Sequence, residues 1–321
     1  MFRIPPSVSF ALKALVGVGL LALLSRLVSP REAARAFVAA DWRWLALAAL
    51  LVPANVTLEA YRWHRLVRCA SPGVAYRESL RAVLGSYPLG LLTPGRMGEY
   101  VGRAALLRDV PPGLGAALTL LEKTATLACI LSVGVVALVH FFAVAAAPSP
   151  LAPALVLGSA LWAAGLLVAV LHPGGAATIV GRLVPMRRLR RSLVGMRAIP
   201  LSEARTLLGL SALRYGIFAG QFALLVLAFD PTAGVGAALI GVALVLFAKS
   251  AVHSVALGDL GVREGAAIYL LGAYGVADAA SLDASLSIFA LNLLAPALVG
   301  LPILLRVRAR EGARRPQPAP R

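Results

Sequence analysis

The chain has 321 residues, 60% of them hydrophobic and only 14% charged, with a formal net charge of +17. A mean hydropathy of +0.84 excludes an ordinary soluble domain and predicts an all-α, polytopic integral membrane helix bundle. The charge argues against nucleic acid, because the basic residues lie between apolar segments and not on one face of a folded module.

In chain order, Arg3 and Lys13 precede an apolar run at 14–25 and resemble a signal n-region, but no small-residue cleavage site follows. Segment 8–28 is therefore expected to remain as an anchor. It pairs with 44–60 across a loop at 29–43, where Trp42 and Trp44 fit an interfacial belt. From 61 to 112 no uninterrupted span of membrane length exists. Residues 80–92 are largely apolar and end at Thr93-Pro94-Gly95, after which 97–107 resumes a helical pattern. This order predicts a re-entrant pair of short helices entering from the cytoplasm. Pro94 forbids a continuous helix, while Gly95 and Gly98 permit tight backbone turns. The free N–H groups expected at the start of the second half-helix make an electropositive end suited to an anion. Segments 113–143 and 150–171 then leave and return.

After a basic loop at 182–205, with Arg187, Arg188, Arg190 and Arg191 placed among anionic headgroups, spans are expected at 206–229 and 237–257. A short helix at 262–274 covers only about 20 Å and cannot cross a core of about 30 Å alone. The last span is 284–305, and 306–321 reads as a disordered basic tail. Eight membrane elements result, in two weakly similar halves, about 8–172 and 206–305, of one transmembrane domain at 1–305. Eight Arg in 61–112, seven in 182–205 and six in 306–321 place both termini in the cytoplasm of a cell inner (plasma) membrane protein.

Two charged glycine motifs, Gly95-Arg96-Met97-Gly98-Glu99 and Gly258-Asp259-Leu260-Gly261-Val262-Arg263-Glu264, stand at corresponding places in the halves. Turns at Pro94, Gly95, Gly98, Gly258 and Gly261 would break helices around a cavity, the pattern of transporters built from repeats. An isolated charge at the bilayer centre costs about 2.5–3.5 kcal/mol on insertion scales, so ionisable residues there serve a pathway or each other. Arg96, Arg103 and Arg263 are expected to receive a lipid phosphate, and Glu99, Glu122 and Glu264 to face the same cavity. Lys123, Lys249, Arg214, Gln221 and Asn292 are further cavity candidates. The competing reading of each Glu-Arg set is a static buried pair that holds broken helices together.

Leu91-Leu92-Thr93-Pro94-Gly95-Arg96-Met97-Gly98-Glu99, then Arg103, Leu120-Leu121-Glu122-Lys123, the second glycine motif through Gly265, and Gly272 to Gly275-Val276 resemble the transmembrane region of lysylphosphatidylglycerol synthases, a family also described as flippase-like. The resemblance covers about residues 10–305. It implies a membrane-embedded domain that moves a lipid, such as an aminoacylated phosphatidylglycerol or another lipid-linked headgroup, between leaflets. Where family members often carry Glu-Arg and then Asp, this chain reads Glu122-Lys123 and Thr126.

Aminoacyl transfer in that family belongs to a soluble domain, and none is expected in the 16 residues after Leu305. There is no GxSxG, Walker A or HExxH pattern, so an enzyme is not expected, and neither is a cofactor or metal. The four His are scattered, and Cys69 and Cys129 have no metal or redox spacing. Three function classes stay open: a lipid flippase without its own ATPase, a membrane enzyme using Glu99 or Glu264 as base, and a membrane partner of a separately encoded lipid-modifying synthase or glycosyltransferase.

Overall fold

The computed structural model describes residues 30–107, 110–145, 149–183, 193, 195–251 and 261–313. The expected anchor at 8–28, the four arginines at 187–191, and Gly258 with Asp259 lie outside the described residues. What is described is all-α and builds a membrane bundle. Five segments are long and apolar enough to span a bilayer: Trp42–Ala70, Pro112–Val144, Ala152–Leu171, Leu201–Phe229 and Asp278–Arg306.

The expected loop at 29–43 contains a helix, α1 (Pro30–Ala39). Asp41 then starts α2 (Trp42–Ala70) by accepting the Arg43 N–H at 2.9 Å. Trp42 is 70% exposed at this end, as an interfacial anchor requires. The re-entrant pair is present as α3 (Tyr76–Leu92) and α4 (Met97–Leu106), joined by a tight turn at Pro94–Arg96. At 10 residues α4 rises about 15 Å, half a bilayer core. Gly95 has φ 57° and is followed by Arg96 at φ 55°, so two successive residues are left-handed and the chain reverses at once. Gly98 lets the two short helices touch backbone to backbone, since a Cβ there would overlap the Leu89 carbonyl oxygen.

The long α5 (Pro112–Val144) and α6 (Ala152–Leu171) form an antiparallel pair, and only 11% of the apolar window of α6 is buried, which assigns its outer face to lipid. A short α7 (Pro173–Leu183) follows. α8 (Leu201–Phe229) packs along α2 and contributes to both main apolar cores, one around Trp63, Leu66 and Leu118, the other around Phe222, Leu271 and Ile288. The second half repeats the interrupted pattern with α9 (Val235–Ala251) packed on the short α10 (Val262–Gly272). Between α8 and α9, Asp230 accepts the Thr232 N–H and hydroxyl at 3.1 and 2.5 Å and the Ala277 N–H at 3.0 Å. Burial raises the pKa of this carboxyl, but those hydrogen bonds outweigh it and hold the pKa below its ordinary value.

The expected final span at 284–305 begins earlier and is not one regular helix. α11 (Asp278–Phe289) passes through a π-helical turn at Ala290–Leu294 into α12 (Ala295–Ala313). The sequence expected to be a disordered tail is thus helical as far as Ala313. α12 crosses α3 where Gly300 meets the Leu84 carbonyl with no room for a side chain.

Candidate functional site

Helical spacing puts opposite charges on single faces: Glu59 and Arg62 on α2, and Glu99 and Arg103 on α4. Packing of α2, α4, α5 and α8 brings these together with Arg96, Glu122, Lys123 and Arg214. Arg62 pairs with Glu122, Arg96 with Glu99, and Arg103 with Glu59. Arg103 also lies 3.1 Å from Glu122, and Arg214 lies 2.6 Å from Glu59. Lys123 Nζ reaches Glu59 at 2.9 Å and Glu99 at 3.0 Å, so it bridges α2 and α4 from α5.

Neutral groups complete the network. The Tyr87 hydroxyl donates to Glu59 Oε2 at 2.9 Å, and Thr126 accepts from Arg62 at 2.9 Å. Trp63 donates to Thr119 at 3.1 Å, and its ring lies 5.9 Å from the Arg103 guanidinium. Gly90 makes room for Glu99, whose Cγ would be 2.6 Å from any Cβ there. Burial this complete requires pairing, because a charge inside the bundle has neither water nor headgroups for compensation.

The network is not sealed. Side chains of Glu59, Glu99, Glu122, Arg62 and Arg103 are at most 1% exposed, whereas Arg96, Lys123 and Arg214 are 29%, 24% and 15% exposed. Those three cations, with Lys249, form the polar wall of a cavity of about 330 Å³. Leu127, Ile130, Phe218 and Leu246 also line it. A wall that is cationic at one place and aliphatic at another suits an amphipathic ligand, and the volume suits a headgroup.

Of the residues singled out by sequence, Arg96, Glu99, Arg103, Glu122, Lys123 and Arg214 therefore meet in one network, and Lys249 lines the cavity beside it. Arg263 and Glu264 do not line that cavity. Glu264 accepts from Arg263 at 2.5 Å, from the Ser285 hydroxyl at 3.1 Å and from the Gly261 N–H at 2.6 Å, while Arg263 Nε donates to Ser285 at 2.9 Å. This set ties α10 to α11. For the described part of the second motif, the expectation that Arg263 and Glu264 face the same cavity is not met, because a serine on the neighbouring helix engages both.

One donor expected to be free at a half-helix start is engaged, and so is the N–H that precedes the other short helix. The Gly98 N–H is taken by the Thr93 hydroxyl at 2.6 Å, and the Gly261 N–H by Glu264. Gln221 and Asn292 form a separate buried chain: Asn55 donates to Asn292, Asn292 to Gln221 at 2.9 Å, and Gln221 to the Ala48 carbonyl at 2.6 Å.

Glu59, Arg62 and Tyr87 were not singled out by sequence. The signal available was the (i, i+3) pair Glu59 and Arg62 at the end of an apolar run, which reads equally well as a helix terminus marked by basic residues.

Residues 10–300 match the model of the family described as Lysylphosphatidylglycerol synthase TM region. No curated protein and no solved structure matches the chain.

Proposed function

Because the chain belongs to the lysylphosphatidylglycerol synthase TM region family, and its long apolar helices are those of a multi-pass membrane protein, we propose that it is a flippase-like carrier. It moves an anionic or aminoacylated phospholipid, or another lipid-linked headgroup, between leaflets of the inner membrane, with both termini cytoplasmic. The observation that supports this reading is the cavity lining, in which Arg96, Lys123 and Arg214 occur together with Leu127, Ile130 and Phe218. A phosphate fits the cations, Arg as a fork and Lys as a compact charge, and acyl chains fit the aliphatic side. Broken helices beside such a cavity give the headgroup a polar route through the hydrocarbon.

The test is translocation of fluorescent phospholipids in proteoliposomes containing the purified chain. Exchange should fall in Arg96→Gln and Arg214→Gln, which alter the cavity wall. Glu264→Gln should lower stability and leave the exchange rate of the folded fraction unchanged. Absence of exchange from a folded preparation, with every headgroup tried, would refute the carrier reading and favour a partner subunit of a lipid-modifying enzyme.

A further inference from the structure

Formal charge at the network separates one class of headgroup from another. Among the described residues, Arg62, Arg96, Arg103, Lys123 and Arg214 are five cations of the network, and Glu59, Glu99 and Glu122 are its three carboxylates, which leaves an excess of two positive charges. Lys249 lines the cavity outside this count.

The excess is also directed. The three carboxylates stand behind the cations, at most 1% exposed, and what exposure the network has belongs to Arg96, Lys123 and Arg214 on the cavity wall. Glu99 is the carboxylate of the network that reaches this wall, and Arg96 and Lys123 already hold it. Nε of Arg62, Arg103 and Arg214 are buried with no acceptor among the described residues. Positive charge that no described carboxylate balances, inside a membrane bundle, favours a ligand that brings negative charge with it.

We propose that the lipid taken here carries two negative charges in one compact headgroup, the chemistry of a phosphomonoester. Such a group bears about −1.5 to −2 at neutral pH. A phosphodiester such as phosphatidylglycerol brings one charge and leaves one cation in excess. Lysylphosphatidylglycerol, whose headgroup amines outnumber its phosphate, adds to the excess and is a poor occupant. This inference rests on the carrier reading for its cavity, and deepens it by naming the substrate class.

The experiment is competition on the purified full chain in detergent, with short-chain fluorescent phosphatidylglycerol as the reporter. Competitors are phosphatidate, phosphatidylglycerol, lysylphosphatidylglycerol and water-soluble glycerol 1-phosphate. Phosphatidate should displace the reporter roughly tenfold or more better than phosphatidylglycerol, with lysylphosphatidylglycerol weakest. Arg214→Gln lowers the excess from two to one and should narrow that ratio. Arg96→Gln, on the more exposed turn, does the same should Arg214→Gln fail to fold. Equal competition by the two anionic lipids, or stronger competition by the lysyl lipid, overturns the inference. Equal potency of glycerol 1-phosphate and phosphatidate overturns it in favour of a soluble phosphate. Translocation without headgroup preference sinks this inference alone, whereas a phosphatidate preference without translocation sustains it and sinks the carrier reading.

Discussion

Glu59→Gln is the most informative single change. The Glu59 carboxylate is fully buried and takes four donors: Arg103, Lys123, Arg214 and the Tyr87 hydroxyl. A glutamine keeps the shape but accepts through one oxygen, and its amide presents N–H groups to cations that are themselves donors. The excess of positive charge rises from two to three. Removing one member of a buried pair costs about 3–5 kcal/mol, because the remaining charges stay buried without compensation. Arg214→Gln should cost less, about 1.5–3 kcal/mol for one charged hydrogen bond, since Glu59 retains Arg103 and Lys123. The double variant returns the excess to two, so it should be more stable than the sum of the singles by about 1–3 kcal/mol. The measurement is unfolding of the purified chain by SDS titration in detergent micelles, followed by tryptophan fluorescence. Glu59→Gln costing under about 1 kcal/mol, or additivity within about 0.5 kcal/mol, would refute the argument that these charges compensate one another.

Gly98→Ala forces a Cβ into the Leu89 carbonyl and should cost about 1–3 kcal/mol or more, whereas Gly95→Ala meets nothing within 4 Å and bears only the left-handed backbone cost of about 1–2 kcal/mol. The same SDS titration checks the order, and equal effects would contradict the backbone contact of α3 with α4. Asp230 has a folded pKa below its ordinary value of 3.8, so its contribution is present above that value and is lost as pH falls through the folded pKa. Melting temperature should therefore drop more steeply below pH 4 in the parent chain than in Asp230→Asn, and parallel curves would refute this. Gly300→Ala should displace α12 from α3, read as faster proteolysis of the hairpin around 93–98, and unchanged protection would argue against that crossing as a clamp.

The re-entrant hairpin was legible because its causes are local. Pro94 cannot extend α3, Gly95 accepts a positive φ, and the apolar runs on either side are too short to span. The charged network was legible in part, through the glycine motif and Glu122-Lys123. Glu59 and Arg62 were not, because charges at the end of an apolar run are interpreted by what packs against them. That packing, α2 against α5 and α8, is a tertiary fact. The likeness of the two glycine motifs overstated the likeness of their surroundings, as Ser285 and the Gly261 cap engage Glu264. That cap did have a signature, a glutamate three residues after the glycine that precedes the helix. The helix in 30–39 was obscured by its polar residues, which read as a loop beside so apolar a chain.

The π-helical turn at Ala290–Leu294 has a consequence for reading frames of homologous length. A π turn holds one residue more than an α turn, so deleting a single codon between 290 and 294 would restore a regular helix while the faces on either side of it keep their directions. Gly300 would stay at the Leu84 carbonyl, because the wide turn has already absorbed the extra residue. Among relatives, a one-residue gap in this stretch should therefore leave a small residue aligned with Gly300, whereas a gap beyond 294, in regular α-helix, would turn that residue away from α3 by about 100°.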